Sequence, residues 1–444
     1  MDNVMLARTI FGSSIAFHII FATLGVGITL MILLAEIMRI IRKDGDYGTL
    51  AKRWTKGVAI LLGVAIPSGT IVAVMLSLLW PGFMEIVGQV IALPFQIEIF
   101  AFFLEALFLS IYVYAADRLS PTMRIISVFF VALGATASAV LITDAHAWMN
   151  TPRGFEMVDG QITNVQPLAA VFNPSFFVTS LHVVGSAYMT GAFVLAAVAA
   201  YKLFRGGLSD RETTYHRKGL SLSLAVALLM SVYTANSGHD TAIMLHEHIP
   251  VKLAAAEGLF ETQPNAPLAI MGTPDPEAGR VVGGIEIPGM LSWLATGSTD
   301  GVVRGLYDYP EEEWPPLFVH TLFNVMVGIG SALLALAGIY WLFWFLGRKK
   351  QKPFPKWLLA GIVVSGPLAM IGIETGWIFS CTGRQPWTIY GFQLTSEAAT
   401  NSGNLGMLFV LFISLYVVLL VITGLVMHFY FYRNPVSEEL HTIN

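Results

Sequence analysis

Nine stretches of this chain stay apolar for about twenty residues or more, and that pattern leaves few folds open. They run over roughly 10 to 38, 57 to 79, 94 to 114, 124 to 147, 176 to 201, 219 to 240, 317 to 346, 357 to 379 and 405 to 432. A hydrocarbon core about 30 Å thick is crossed by roughly 20 helical residues at 1.5 Å each, and backbone groups in lipid must find partners within their own segment. Barrel strands would be about half as long. The expected fold is therefore all-α, a polytopic membrane bundle of about nine transmembrane helices. With 55% hydrophobic and only 12% charged side chains among 444 residues, an ordinary soluble or disordered chain is excluded. The first run follows Arg8, is too long for a signal-peptide core and has no clear cleavage site, so it reads as a retained helix.

Lys and Arg give an orientation. The links after spans 1, 3, 5 and 7 plus the tail hold 19 of the 25 cations, including Arg39, Arg42, Lys43, Lys52, Arg53 and Lys56 in the first and Arg348, Lys349, Lys350, Lys352 and Lys356 in the fourth. The N-terminus and the remaining links hold 6. Cation-rich links face the cytoplasm, which puts the N-terminus outside and the C-terminus inside and requires an odd number of spans. Three parts follow: residues 1 to 240 with spans 1 to 6, an external segment over 241 to 316, and residues 317 to 444 with spans 7 to 9 and a tail. The middle part is rich in Pro, Gly and acid, including Glu311, Glu312 and Glu313. A link that long is usually functional or mobile, and this one is expected to be the part most open to proteolysis.

Ionisable groups inside spans are expensive, so each is a functional candidate. His18 and His182 lie about two turns below the outer surface, Met326 between two and three, and Glu374 within about two turns of the outer end of its span. Glu98 stands one turn into the third span, and Glu105, seven residues later, shares its face. All six fall in the outer half. Cys381 is the single cysteine, which excludes an internal disulfide, a cysteine-built zinc or iron–sulfur site and a CxxCH haem attachment. Two His, a Met and three carboxylates at one depth suit haem iron better than zinc or calcium, since thioether and imidazole together form a haem axial pair. Taken singly, each has an ordinary alternative: a packing histidine, a core methionine, a polar helix contact, a snorkelling carboxylate. His239, His246 and His248, with Asp240 and Glu247, have metal-ligand spacing but read as a solvated junction; His216 and His428 read as interfacial. On the residues alone, a membrane redox protein and an ion transporter both stand. Transporters commonly carry internal repeats and Gly/Pro-interrupted helix pairs, and neither is evident.

Longer motifs add a resemblance. ARTIFGSSIAFHIIFATLGVG around His18, EIFAFFLEALF with Glu98 and Glu105, AWMNTPRGFE, HDTAIMLHEHIPVKLAAAEGLFETQP, FNVMVGIG around Met326 and ETGWIFSCTGRQPW together resemble subunit I of cytochrome bd-type quinol oxidases over nearly the whole chain. The resemblance implies a respiratory terminal oxidase of the bacterial cell membrane that oxidises quinol outside and reduces O₂ to water with cytoplasmic protons, without pumping. It implies three haems: a low-spin haem b between His182 and Met326, and two high-spin haems on His18 and Glu374, one a haem b and the other a haem d or a further haem b. Glu98 and Glu105 match the acidic pair that passes protons to the oxygen site. Lys252 and Glu257 match positions tied to quinol oxidation, with Glu257 as proton acceptor and Lys252 polarising a quinol oxygen. Arg384 of GRQPW is expected to meet a haem propionate. A homologous second subunit, and a small single-span subunit as a further candidate, are the implied partners; nucleic acid has no support. Two positions depart from the family pattern. Asn324 stands two before Met326 where an Arg is common, and His146 stands two before Trp148 where a neutral amide is commoner.

Overall fold

The computed structural model describes residues 3 to 347 and 354 to 441, and is 77% helical. In chain order the helices are α1 (Asn3–Arg42), α2 (Gly45–Leu79), α3 (Pro81–Val90), α4 (Ala92–Ala115), α5 (Pro121–Asn150), α6 (Pro167–Val171), α7 (Phe176–Arg205), α8 (Asp210–His248), α9 (Pro250–Glu257), α10 (Met290–Thr296), α11 (Val319–Gly347), α12 (Lys356–Thr382), α13 (Thr395–Ala398), α14 (Leu405–Arg433) and α15 (Val436–His441). Among the described residues nine of them are long and apolar enough to cross a membrane: α1, α2, α4, α5, α7, α8, α11, α12 and α14. The fourth link's Arg348, Lys349, Lys350 and Lys352 lie outside the described residues.

Local chemistry starts these helices where polar side chains can cap them. Asp44 accepts from Asp46 N ahead of α2, Ser120 from Met123 N ahead of α5, and Ser209 with Glu212 forms a reciprocal capping box ahead of α8, each supplying an acceptor to an otherwise unpaired N–H. Charges gather nearby. Lys218 bonds both Asp44 and Asp46, Arg211 reaches Asp46 at 2.7 Å, and Arg53 pairs with Glu439 at 2.7 Å. This is the end of the bundle that carries the cation-rich links.

At the centre, α1 and α7 are the most enclosed spans, while α4, α11 and α14 present most of their surface outward. Glycine lets α1 and α7 touch: a Cβ on Gly27 would sit 2.8 Å from Gly191 Cα, and one on Gly191 would meet Gly27 at 2.6 Å. With no hydrophobic drive between helices in lipid, such backbone proximity supplies the packing energy. One large apolar cluster runs through these helices, from Phe17 and Met31 to Phe193, Leu224 and Tyr340.

The opposite end is covered by a folded cap. The sixth span, expected to stop near residue 240, continues as α8 to His248, and the stretch beyond has its own structure. Strands β1 (Glu156–Val158) and β2 (Gln161–Thr163) form a small hairpin after α5. Within the cap, β3 (Leu268–Ile270) pairs antiparallel with β6 (Ile285–Ile287), and β4 (Thr273–Asp275) with β5 (Arg280–Val282). These pairs are nested halves of one long hairpin, interrupted at Met271, Gly272 and Gly283, all at positive φ. Leu253, Ala254, Phe260, Leu291, Val303 and Leu306 form a second apolar core with Phe379 of α12. Past α12, β7 (Trp387–Ile389) and β8 (Gln393–Leu394) close the chain back toward α14. The expectation of a loosely structured segment over 241 to 316 gives way to a compact unit, because strands of three residues leave no periodic signal in a sequence.

Candidate functional site

The two histidines singled out inside the spans are held by the same device. Nδ1 of His18 lies 3.0 Å from Ser68 Oγ on α2, and Nδ1 of His182 lies 3.0 Å from Ser237 Oγ on α8. Each serine hydroxyl donates its one proton to a carbonyl a turn back, Ala65 O at 3.0 Å and Thr234 O at 3.2 Å. A hydroxyl whose proton is spent can only accept, so Nδ1 must carry the imidazole hydrogen in both residues. That fixes the tautomer and leaves Nε2 with a bare lone pair, the form in which histidine ligates a metal.

Space is left beside each candidate ligand by a glycine of the neighbouring helix. A Cβ on Gly69 would stand 3.0 Å from His18 Cε1, one on Gly238 3.4 Å from His182 Cε1, and one on Gly376 2.9 Å from Met326 Sδ. Helices α7 and α11, which carry His182 and Met326, share α8 and α12 as packing neighbours. Glu374 on α12 has a buried oxygen, Oε1, with no hydrogen-bond partner. Glu105 is buried and packs on Gly134 of α5, whose Cβ would sit 2.9 Å from its own. Glu98 accepts from Ser138 Oγ at 2.5 Å. Both carboxylates thus face α5, as their seven-residue spacing requires.

Arg384 is 5% exposed, and its Nε and Nη1 have no partner. Burial pulls its guanidinium down to about 10. Unpaired buried donors on a cation are costly, and an anionic group placed there would satisfy them. Among the described residues no group of three His, Cys, Asp or Glu could hold a bare metal ion, and His239 and His248 stand exposed on α8. Free Nε2 atoms, glycine floors, an unpaired carboxylate oxygen and an unpaired arginine fork fit haem, which takes one or two axial ligands and brings its own propionates.

Lys252 and Glu257 sit on α9 in the cap, and both are buried, at 3% and 5% exposed. Glu257 Oε2 has no partner and the residue lines a cavity of about 70 Å³ with Phe260, Gln263, Ala269 and Arg280; burial pushes its carboxyl up to about 8. Lys252 turns the other way. Its ammonium donates to Ser380 O at 2.8 Å and Asn150 Oδ1 at 3.2 Å, and burial pulls it down to about 7.

His320, at the start of α11, was not legible as a site residue. It is fully buried, with Nδ1 2.8 Å from Ala256 O and Nε2 3.1 Å from Met271 O. Asn324, one turn on, accepts from Met271 N at 2.9 Å. Together they fasten the Met326 helix to α9 and to the hairpin. The available signal was a histidine six residues before Met326, at the depth where the other candidates gather. His146, the second departure, bonds Ser380 Oγ at 2.7 Å through Nε2 and meets Trp377 edge-on at 5.4 Å.

Comparisons with known proteins agree over the whole length. The family model described as cytochrome bd terminal oxidase subunit I matches residues 6–435. A Bacillus subtilis (strain 168) protein named as a cytochrome bd menaquinol oxidase subunit I is 56% identical over 442 residues, covering 100% of this chain and 99% of that one. The cytochrome bd ubiquinol oxidase subunit 1 of the same organism is 30% identical, covering 98% and 93%. Among solved structures, the bd oxidase from Geobacillus thermodenitrificans superposes with a TM-score of 0.91 at 44% identity, covering 98% of this chain and 99% of that one.

Proposed function

The chain belongs to the cytochrome bd terminal oxidase subunit I family, the multi-pass quinol oxidases of bacterial membranes, and from that premise we propose how its residues divide the work. His182 and Met326 hold a low-spin haem b. His18 and Glu374 hold two high-spin haems, a haem b and a haem d or further haem b, with Arg384 on a propionate. When bound, these groups carry the electrons and reduce O₂ to water. The observation that carries the reading is the matched Ser68–His18 and Ser237–His182 arrangement, which prepares two Nε2 atoms as ligands.

Everything else is proton handling and positioning by this chain. Glu257 accepts a proton from quinol at the cap, its unpaired Oε2 being the available base; the 56% identical relative points to a naphthoquinol of the menaquinol class. Glu98 and Glu105 hand cytoplasmic protons toward the oxygen site, with Ser138 holding Glu98. Protons released at the cap and consumed from the opposite side charge the membrane without a pump. The N-terminus and cap face outward and the C-terminus inward. A homologous second subunit, and a small single-span subunit with it, complete the enzyme.

Haem quantification decides the ligand assignment. In the purified complex, His18→Ala and Glu374→Ala should each lose one high-spin haem and O₂ consumption, while quinol still reduces the His182/Met326 haem. Full haem content in both variants would make these two residues packing groups and would sink the assignment.

A further inference from the structure

Lys252 belongs to a closed ring of hydrogen bonds that ties three elements together. Its Nζ donates to Ser380 O at 2.8 Å on α12 and to Asn150 Oδ1 at 3.2 Å on α5. Asn150 Nδ2 donates to His146 O at 2.8 Å, and His146 Nε2 bonds Ser380 Oγ at 2.7 Å, which returns to the starting residue. An ammonium has three hydrogens. Two are used in the ring, and the third side of the group faces the Phe379 ring, 5.5 Å from its centroid, within the range of a cation–π contact. The stem packs on Gly383, where a Cβ would sit 3.0 Å from Lys252 Cε. The residue is 3% exposed, so its one remaining N–H is enclosed on the Phe379 side.

Five residues further along α9, Glu257 is in the opposite condition: its Oε2 is unpaired and the residue lines the small cap cavity. Lys252 and Glu257 therefore share one short helix but differ in what they have left to offer. We propose that Lys252 is a positioning residue that seats α9, and with it Glu257, on α5 and α12 through Asn150, Ser380 and His146, and that it makes no contact with quinol. This rests on the reading of the cap as the quinol site. It assigns His146 a place as well: the imidazole closes the ring from α5, so the loop-borne lysine and the bundle are one hydrogen-bonded unit.

A positioning role and a contact role separate in kinetics. In the purified complex, with a short-chain naphthoquinol as the varied substrate, Lys252→Met and Asn150→Ala should each lower saturating turnover by roughly tenfold, because Glu257 is no longer held in place against the reacting oxygen. KM should stay within about twofold, because neither side chain contributes to quinol binding. The double variant should be no worse than the worse single one, since both remove the same link. The reduced haem spectrum of each variant should match the parent, which removes misfolding as a cause. Glu257→Gln should lower turnover further, since it removes the base itself. A rise in KM with unchanged turnover for Lys252→Met, the mark of a lost binding contact, or effects of Lys252→Met and Asn150→Ala that multiply, would overturn the proposal. So would a spectrum altered in both variants. If Glu257→Gln leaves quinol oxidation unchanged, the cap is not the quinol site and the reading beneath the proposal fails instead.

Discussion

At the scale of single residues, the chain uses hydroxyls and glycines to orient and make room for the proposed ligands. Ser68 and Ser237 spend their protons on helix carbonyls and so fix Nδ1–H on His18 and His182, and the glycine opposite each ring keeps the approach clear. His182→Ala should remove the low-spin signal from the reduced spectrum. Met326→Leu should leave a high-spin, ligand-accessible haem, since only the weaker ligand is lost. A normal low-spin spectrum in both would refute the pairing. Glu257 gives a pH dependence. Burial raises its carboxyl from 4.5 to about 8, so a base at that position is mostly protonated at neutral pH. Quinol oxidation should climb through that region over about pH 6 to 9, and Glu257→Gln should abolish the climb. Stability moves in the opposite sense. Between 4.5 and about 8 the folded chain holds the extra proton, so the cap loses stability as pH rises through that window. A rate profile with no limb in the parent, or the same limb in the glutamine variant, would exclude Glu257 as the base. The ligand candidates were legible in the sequence because an ionisable group in a span has few reasons to be there. His320 was not, because its partners are the carbonyls of Ala256 and Met271, and backbone atoms leave no trace in residue identity.

At the scale of elements, spans and cap obey different rules. Lipid demands continuous apolar runs, so all nine spans could be read from composition in windows, and most limits came within a few residues. The second and the sixth did not: α2 begins at Gly45, twelve residues before the expected 57, and α8 starts at Asp210 rather than 219 and carries a polar end, HDTAIMLHEH, out of the core to His248, where hydropathy no longer follows the helix. The cap was legible only as a length. Its strands are three residues each, its turns depend on positive φ at Gly272 and Gly283, and its apolar core borrows Phe379 from α12. That folding changes what a protease should find. In place of general susceptibility, cleavage should be confined to exposed turns, with the 297 to 301 stretch first, since Gly297, Ser298, Thr299 and Asp300 are all exposed. Peptide mapping of a limited digest checks this, and a nick there should impair quinol oxidation with the haem spectrum intact. Early cutting within α9 would mean that the cap is not folded as described.

At the scale of the whole molecule, chemistry and charge separate to opposite ends of the bundle. The capping aspartates and the ion pairs of Lys218, Arg211 and Arg53 mark one end, and Arg384, the Lys252 ring and the cap mark the other. In the proposed orientation the first faces the cytoplasm. A C-terminal reporter active only in the cytoplasm should be active, and a tag inserted at Glu277, in the hairpin of the cap, should be reachable from outside intact cells. A Glu277 tag accessible only after lysis would reverse the orientation.

The Lys252 ring also bears on how the subunit comes into being. Lys252 and Ser380 are 128 residues apart, and Ala256 and His320 are 64 apart, so α9 leaves the ribosome with Asn150 of α5 already made but before its other two anchors exist. At ordinary translation rates the gap to Ser380 is on the order of ten seconds. Through that interval the helix that bears Glu257 has only the Asn150 side of its ring, and the ring closes only once the eighth span has been threaded into the bilayer. An unfinished chain therefore presents no completed cap, and a subunit abandoned before α12 lacks the Ser380 side of the Lys252 ring.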